Sequence, residues 1–200
     1  GAALLARVGL TSNAEQMVVT AGGQNALHAI AETLLRPGDR VACGTYLYPG
    51  FQALARRIGS PLVRLAEIPP AALAAAHDAV PLRALYLVPT NDNPTAHTIA
   101  AADRAAIAAW AREQGVPIIE DDAYGLLPEK PLPAVTSFAP DLGWYIASTA
   151  KIIAPALRVA FVRAPTVVDA LALAACQHES AVMAPPVYAA MVSLWHADGG

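Results

Sequence analysis

Residues 84–122 read ALYLVPTNDNPTAHTIAAADRAAIAAWAREQGVPIIEDD. Ala84 to Val88 is apolar at every position and closed by Pro89, so it reads as a strand covered on both faces. Ala100 to Gln114 is an alanine-rich helical run stopped by Gly115. Val116 to Glu120 is a second apolar strand, and it ends in Asp121 and Asp122. Strand, helix and strand in that order predict a crossover unit with parallel strands.

The same rhythm runs outward in both directions. Upstream, Gln16 to Thr20 reads as a strand, followed by the glycine turn Ala21-Gly22-Gly23 and a helix from Asn25 to Leu35 that Arg36-Pro37-Gly38-Asp39 stops. Arg40 to Cys43 and Leu62 to Leu65 read as strands, Gly50 to Ile58 and Pro70 to His77 as helices. Downstream, Trp144 to Ala147 and Val159 to Val162 read as strands, Val167 to His178 and Pro186 to Trp195 as helices. Pro128 to Pro140 carries four prolines and reads as a long loop, the one interruption of the pattern. The expected fold is α/β: three layers, α/β/α, around a mostly parallel sheet.

Composition narrows the function. The 200 residues are 56% hydrophobic and only 14% charged, which excludes a disordered chain or a coiled coil. Net charge is −3 and the 13 basic residues form no cluster, so no nucleic acid or polybasic membrane contact is expected through this domain. No apolar run of about 20 residues is free of charges and breakers. The apolar start, Gly1 to Arg7, lacks a basic leader segment and reads as a helix, and a reduced, cytoplasmic setting is expected. Cys43 and Cys176 lack metal-site spacing and read as small core residues. The five histidines have no ligand spacing either, so no metal is expected. There are 46 alanines, so helices are expected to pack through small side chains. Two lysines stand against eleven arginines: Lys130, in the proline-rich loop and expected to face solvent, and Lys151.

In an open α/β sheet, ligands bind at the carboxyl ends of the strands. Gly22, Gly23 and Gln24 open a helix there and can cradle an anion such as phosphate, with Ser148 and Arg158 adding a hydroxyl and a fixed charge. Gly22-Gly23 also fits a plain strand–helix turn, and it is not the dinucleotide fingerprint. Tyr48 can stack on a planar ring, with Tyr46 as its competitor. Asp121 can pair with a protonated ring nitrogen, whereas Asp122 reads as structural. Asn93 and Tyr124 can hydrogen-bond a ring oxygen. Lys151 lies in an apolar stretch, where burial is expected to lower its pKa and favour imine formation. Arg158 has apolar flanks that argue against a plain surface charge. Phosphate, a flat basic ring, a phenolic oxygen and an aldehyde together describe pyridoxal 5'-phosphate. No Gly-x-Ser-x-Gly elbow argues for a serine hydrolase.

Five motifs in order then resemble one family: Thr20-Ala21-Gly22-Gly23-Gln24-Asn25-Ala26-Leu27, Tyr48-Pro49-Gly50, Pro89 to Thr95, Ile119 to Gly125, and Ser148-Thr149-Ala150-Lys151 running to Pro155-Ala156-Leu157-Arg158. The chain resembles the large domain of fold-type I, class I/II aminotransferases. It looks most like the aminotransferase-like domain of MocR/GntR-type transcriptional regulators. The resemblance implies that Lys151 forms the Schiff base and moves the substrate proton, that Asp121 keeps the ring nitrogen protonated, and that Asn93 and Tyr124 hold the ring oxygen. It further implies that Tyr48 stacks and that Gly22, Gly23, Gln24, Ser148 and Arg158 bind phosphate. Asn93-Pro94 is a candidate cis bond. Ala96 stands where the family has glycine, Asp92 where glutamine is common, Ala150 where serine is frequent and Ala160 where glycine is usual, and the Pro61 to Pro81 region is shorter.

Three functions follow as expectations. The first is transfer of an amino group between an amino acid and a 2-oxo acid. The second is an effector domain that senses pyridoxal 5'-phosphate and an amine within a regulator, with little or no turnover. The third is a non-catalytic scaffold. Residues 1–200 read as one large domain of a homodimeric protein. Its N-terminal arm, C-terminal small domain and any DNA-binding domain would lie outside the sequence.

Overall fold

The computed structural model describes residues 1–180 and 186–198. In chain order the elements are α1 (Ala2–Ala6), β1 (Met17–Thr20), α2 (Gly23–Leu34), β2 (Val41–Gly44), α3 (Pro49–Ile58), β3 (Leu62–Leu65), α4 (Pro70–Ala79), β4 (Ala84–Leu87), α5 (Ala101–Gln114), β5 (Ile118–Asp121), α6 (Val135–Phe138), β6 (Gly143–Ser148), β7 (Ala160–Arg163), α7 (Val167–Ser180) and α8 (Pro186–Ala197). The seven strands form one sheet in the order β1-β7-β6-β5-β4-β2-β3. Neighbours from β3 through β6 run parallel, while β7 is antiparallel to both β6 and β1. The expected mostly parallel sheet is therefore present, with one reversed strand.

Alternation along the strands separates two cores. Ala84 and Tyr86 of β4 face the layer of α2, α3 and α7, while Leu85 and Leu87 face α4 and α5. A third cluster joins Leu4 and Leu5 of α1 to Tyr145, Phe161 and Val192, with Ile152 and Ile153 packed against it. The helices end where their sequences say they should. Gly59 and Gly115 close α3 and α5 in the left-handed conformation, with Arg56, Arg57 and Arg112 in the last turns.

Three expectations need correction. The stretch Pro128 to Pro140 is not loop throughout, because it holds the one-turn helix α6. Four residues give no periodic signal. The turn is stabilised from outside, by a carboxylate of β5 that takes up its free backbone N–H groups. Cys43 is a core residue as expected, but Cys176 is half-buried, and its thiol points at Glu32 Oε2 at 3.5 Å. Lys151 is exposed rather than buried. It sits in a turn whose neighbours Ile152 and Ile153 pack, half-buried, against the third cluster, so the apolar stretch turns the isoleucines inward and leaves the amine outside.

Candidate functional site

Strand direction decides which loops meet. The carboxyl ends of β2, β4, β5 and β6 share one edge because these strands are parallel. The register Thr20–Ala160–Ser148 brings the end of β1 and the end of β6 to the same edge, on either side of the start of β7. The reversed strand therefore contributes its entry where the others contribute their exits. That is why Arg158, which precedes β7, meets the glycine turn that follows β1.

The glycine turn opens α2. Gly22 has φ +89, and a Cβ there would lie 2.9 Å from Arg158 Nη2. The backbone thus needs glycine for both conformation and space. A Cβ on Gly23 would lie 3.5 Å from Ser148 Oγ. Arg158 donates from Nη2 to the Ala21 carbonyl at 3.3 Å, and Ser148 Oγ accepts from the Ala150 amide at 3.3 Å. Asn25 Oδ1 fixes the turn by accepting from the Ala21 amide at 3.0 Å and from Gln177 Nε2 at 3.3 Å. Gly22, Gly23, Ser148 and Arg158 are thus brought together around the first turn of a twelve-residue helix, whose free N–H groups favour an anion. Arg158 itself is exposed and left-handed, with φ +50, so its apolar flanks did not bury it.

A second group lies one strand over. Asp121, at the end of β5, accepts a hydrogen bond from Tyr86 Oη of β4 at 3.0 Å on Oδ2. The Tyr86 ring is stacked on Phe51 of α3, with centroids 4.0 Å apart and planes 11° apart. Burial pushes the Asp121 carboxyl up to about 6, and the Tyr86 donor counteracts this. Tyr48, at the start of α3, lies over Gly50 beside Gln24 Oε1, since a Cβ on Gly50 would overlap both side chains. Gln24 Oε1 is buried without a hydrogen-bond partner among the described residues. Tyr46, the competitor for stacking, instead lines an adjoining cavity of about 580 Å³ together with Tyr86, Asp92 and His97.

Behind the edge is a buried polar network that the sequence reading missed. Glu120 is fully buried and accepts from the Val135 amide at 2.9 Å, the Thr136 amide at 2.8 Å and Thr136 Oγ1 at 2.7 Å. Its carboxylate therefore caps α6 from a neighbouring strand. Burial first, then the Asp122 charge, push Glu120 up to about 7 against those donors. Asp122 accepts from Tyr145 Oη at 2.9 Å, in keeping with its structural reading. Arg104 of α5 has no exposed surface at all. Its guanidinium donates to the carbonyls of Ile99, Pro133 and Pro89 and to Thr90 Oγ1, at 2.8–2.9 Å. It thereby ties both ends of the 89–99 loop to the chain entering α6. Its one signal in the sequence was an arginine amid alanines, which a solvated helix face mimics.

The remaining expected residues lie on loops at the same edge. Asn93 is exposed in the 89–99 loop, and the Asn93–Pro94 bond is cis, as expected. Tyr124 is half-buried after β5, and Lys151 exposed after β6. No side-chain hydrogen bond links these three to the two groups above, among the described residues. Lys130 faces solvent, as expected. The described residues contain no cluster of metal ligands, and no helix among them is long and apolar enough to cross a membrane.

Residues 2–196 match the family of class I and II aminotransferases. An uncharacterised HTH-type transcriptional regulator of Bacillus subtilis, YdeF, is 34% identical over 166 residues, covering 81% of this chain and 36% of the regulator. A 2-aminoadipate transaminase of Thermus thermophilus is 31% identical over 161 residues, covering 74% of this chain and 40% of the enzyme. Among solved structures, LysN, an α-aminoadipate aminotransferase from Thermus thermophilus complexed with N-(5'-phosphopyridoxyl)-L-leucine, aligns with a TM-score of 0.78 at 27% identity, over 92% of this chain and 50% of that one. The chain thus spans well under half the length of the two curated relatives.

Proposed function

Because the chain belongs to the class I and II aminotransferase family, we propose that it is the pyridoxal 5'-phosphate-binding domain of an enzyme that moves an amino group between an amino acid and a 2-oxo acid. The observation that carries this reading is the meeting of Gly22, Gly23, Ser148 and Arg158 at a helix N-terminus, one strand away from a buried Asp121. The residues fit the cofactor. The glycine turn leaves space where side chains would collide, and the carboxylate at the strand end suits a protonated ring nitrogen.

When bound, the cofactor supplies an aldehyde that takes up amines and a ring that withdraws electrons from the reacting carbon. The amides opening α2, with Ser148 Oγ and the Arg158 guanidinium, hold the phosphate. Asp121 holds a proton on the ring nitrogen. Tyr48 covers one ring face and excludes water from it. Asn93 and Tyr124 orient the ring oxygen. Lys151 Nζ, on an exposed residue after β6, would hold the cofactor through its aldehyde and, once displaced by a substrate amine, would be the free base that carries the Cα proton. The setting is read as cytoplasmic and the full-length assembly as a homodimer, which sedimentation equilibrium tests.

Titration with pyridoxal 5'-phosphate tests the site. An absorbance band near about 420 nm is expected for the parent and not for Lys151→Ala. A band that survives the substitution overturns the assignment. The likeness to YdeF supports a second reading, an amine-sensing effector domain of a transcriptional regulator. In that case an added amino acid alters DNA binding by the full-length protein, and no 2-oxo acid accumulates.

A further inference from the structure

Tyr86 was assigned no role by the motifs, yet it is held on two sides. It is 2% exposed, and its single hydroxyl is committed to Asp121 Oδ2 at 3.0 Å. Strand alternation turns it toward α3, where Phe51, itself without exposed surface, stacks on it in near-parallel register. Phe51 lies one turn into the helix whose N-cap is Tyr48, so one helix carries the ring-covering tyrosine and the platform for Tyr86. A tyrosine needed only for packing gains nothing from a buried hydroxyl, since phenylalanine fills the same volume with no polar atom to satisfy.

Resting on the reading of Asp121 as partner of the cofactor's ring nitrogen, we propose that Tyr86 is a positioning residue. Held flat on Phe51, it fixes the Asp121 carboxylate through Oδ2 and leaves the other oxygen for the ring nitrogen. A carboxylate at a strand end rotates about χ1 and χ2 unless something anchors it, and one charge-assisted hydrogen bond from an immobile ring does so. The same donor favours the ionised form that a protonated ring nitrogen requires, against the burial that disfavours it. The other groups around the pair work in the opposite direction. Asp122, the next residue in the chain, raises Asp121, and Asp92 and Tyr48 bear on the Tyr86 hydroxyl. Arg104 and Tyr145 act on Asp122. Among the described residues the Tyr86 hydroxyl is thus the group that favours the ionised form of Asp121.

Carboxyl ¹³C NMR of the full chain, with and without Tyr86→Phe, tests this directly. The variant keeps the ring and its stack. The Asp121 midpoint is expected to move up by about one pH unit, a tenfold gain in proton affinity, because a hydrogen bond to a charged group is worth about 1.5–3 kcal/mol and part of it is recovered by water. Affinity for pyridoxal 5'-phosphate at neutral pH, read by absorbance titration, is expected to fall by about three- to tenfold. An unmoved midpoint overturns the proposal, whatever happens to affinity, because a packing role leaves the titration untouched. Asp121→Asn separates this from the reading beneath it. If that variant binds pyridoxal 5'-phosphate as tightly as the parent, Asp121 is not the ring partner and both fall.

Discussion

Replacing Arg104 by methionine isolates the buried network behind the site. Methionine keeps the unbranched stem and fills most of the space, so the loss is that of the guanidinium. Four acceptors lose a charged donor. The bonds to Ile99 and Pro133 are partly exposed and those carbonyls rehydrate, whereas the bonds to Pro89 and Thr90 Oγ1 are buried. Two stranded buried acceptors at about 1–3 kcal/mol each, less what Thr90 regains by rotating, give a loss of about 3 kcal/mol. For a chain of this size that lowers Tm by about 6–12 °C. Asp122 adds a pH dependence. Its carboxyl is raised by burial, and the Arg104 charge holds it down. In the folded state a raised acid binds its proton more tightly than in the unfolded state, so stability is lost as pH rises past the ordinary carboxylate range. Removing Arg104 enlarges that rise, so the destabilisation is greater at pH 8 than at pH 5. Urea unfolding at both pH values measures it, with Arg112→Met as control, since Arg112 pairs with Asp141 at 3.5 Å on the open surface. A loss under about 1 kcal/mol, or one equal at the two pH values, refutes the account.

Ala96 has φ +55, a left-handed conformation that favours glycine. Ala96→Gly is therefore expected to raise stability by about 1 kcal/mol in thermal unfolding, and a loss counts against strain there. Gly125→Ala places a Cβ inside the Asp122 carboxylate that Tyr145 pins, and a cost above about 2 kcal/mol by urea unfolding is expected. Asp121, raised to about 6 by burial, contributes stability fully below its ordinary pKa of 3.8 and loses it as pH rises through about 6. Between pH 4 and 8 the cofactor-free parent should lose about 2 kcal/mol that Asp121→Asn does not, with Glu120 and Asp122 titrating in both. Parallel stability curves for the two chains would contradict the burial cost.

The sheet was legible because its strands, apolar at nearly every position, and its alanine-rich helices differ in period, and their ends carry glycine and proline. The glycine turn, Ser148 and Arg158 were legible as candidates because each sits beside a strand end, and the structure brings them together. What escaped depends on partners distant in sequence. A strand's direction is not written in its own residues, so the reversal of β7 could not be read from Val159 to Val162. The turn of α6 exists because Glu120 caps it, and Glu120 belongs to another element. Arg104 and Tyr86 look like ordinary helix and strand residues until their hydrogen bonds are seen. Lys151 shows the opposite error, because apolar neighbours in sequence marked the isoleucines that pack against the core and not the amine beside them.

The reversed strand also has a temporal consequence. β1 is made early, yet its sheet partner is β7, about 140 residues later by the pairing of Thr20 with Ala160. A chain growing from its N-terminus can assemble β2 through β5 from local crossovers while β1 waits as an unpaired edge. The meeting of the glycine turn, Ser148 and Arg158, which needs the ends of both β1 and β6 and the entry of β7, is then the last part of the fold to form. Pulse-labelled hydrogen exchange during refolding should find the β1 amides protected together with those of β7 and later than those of β4 and β5.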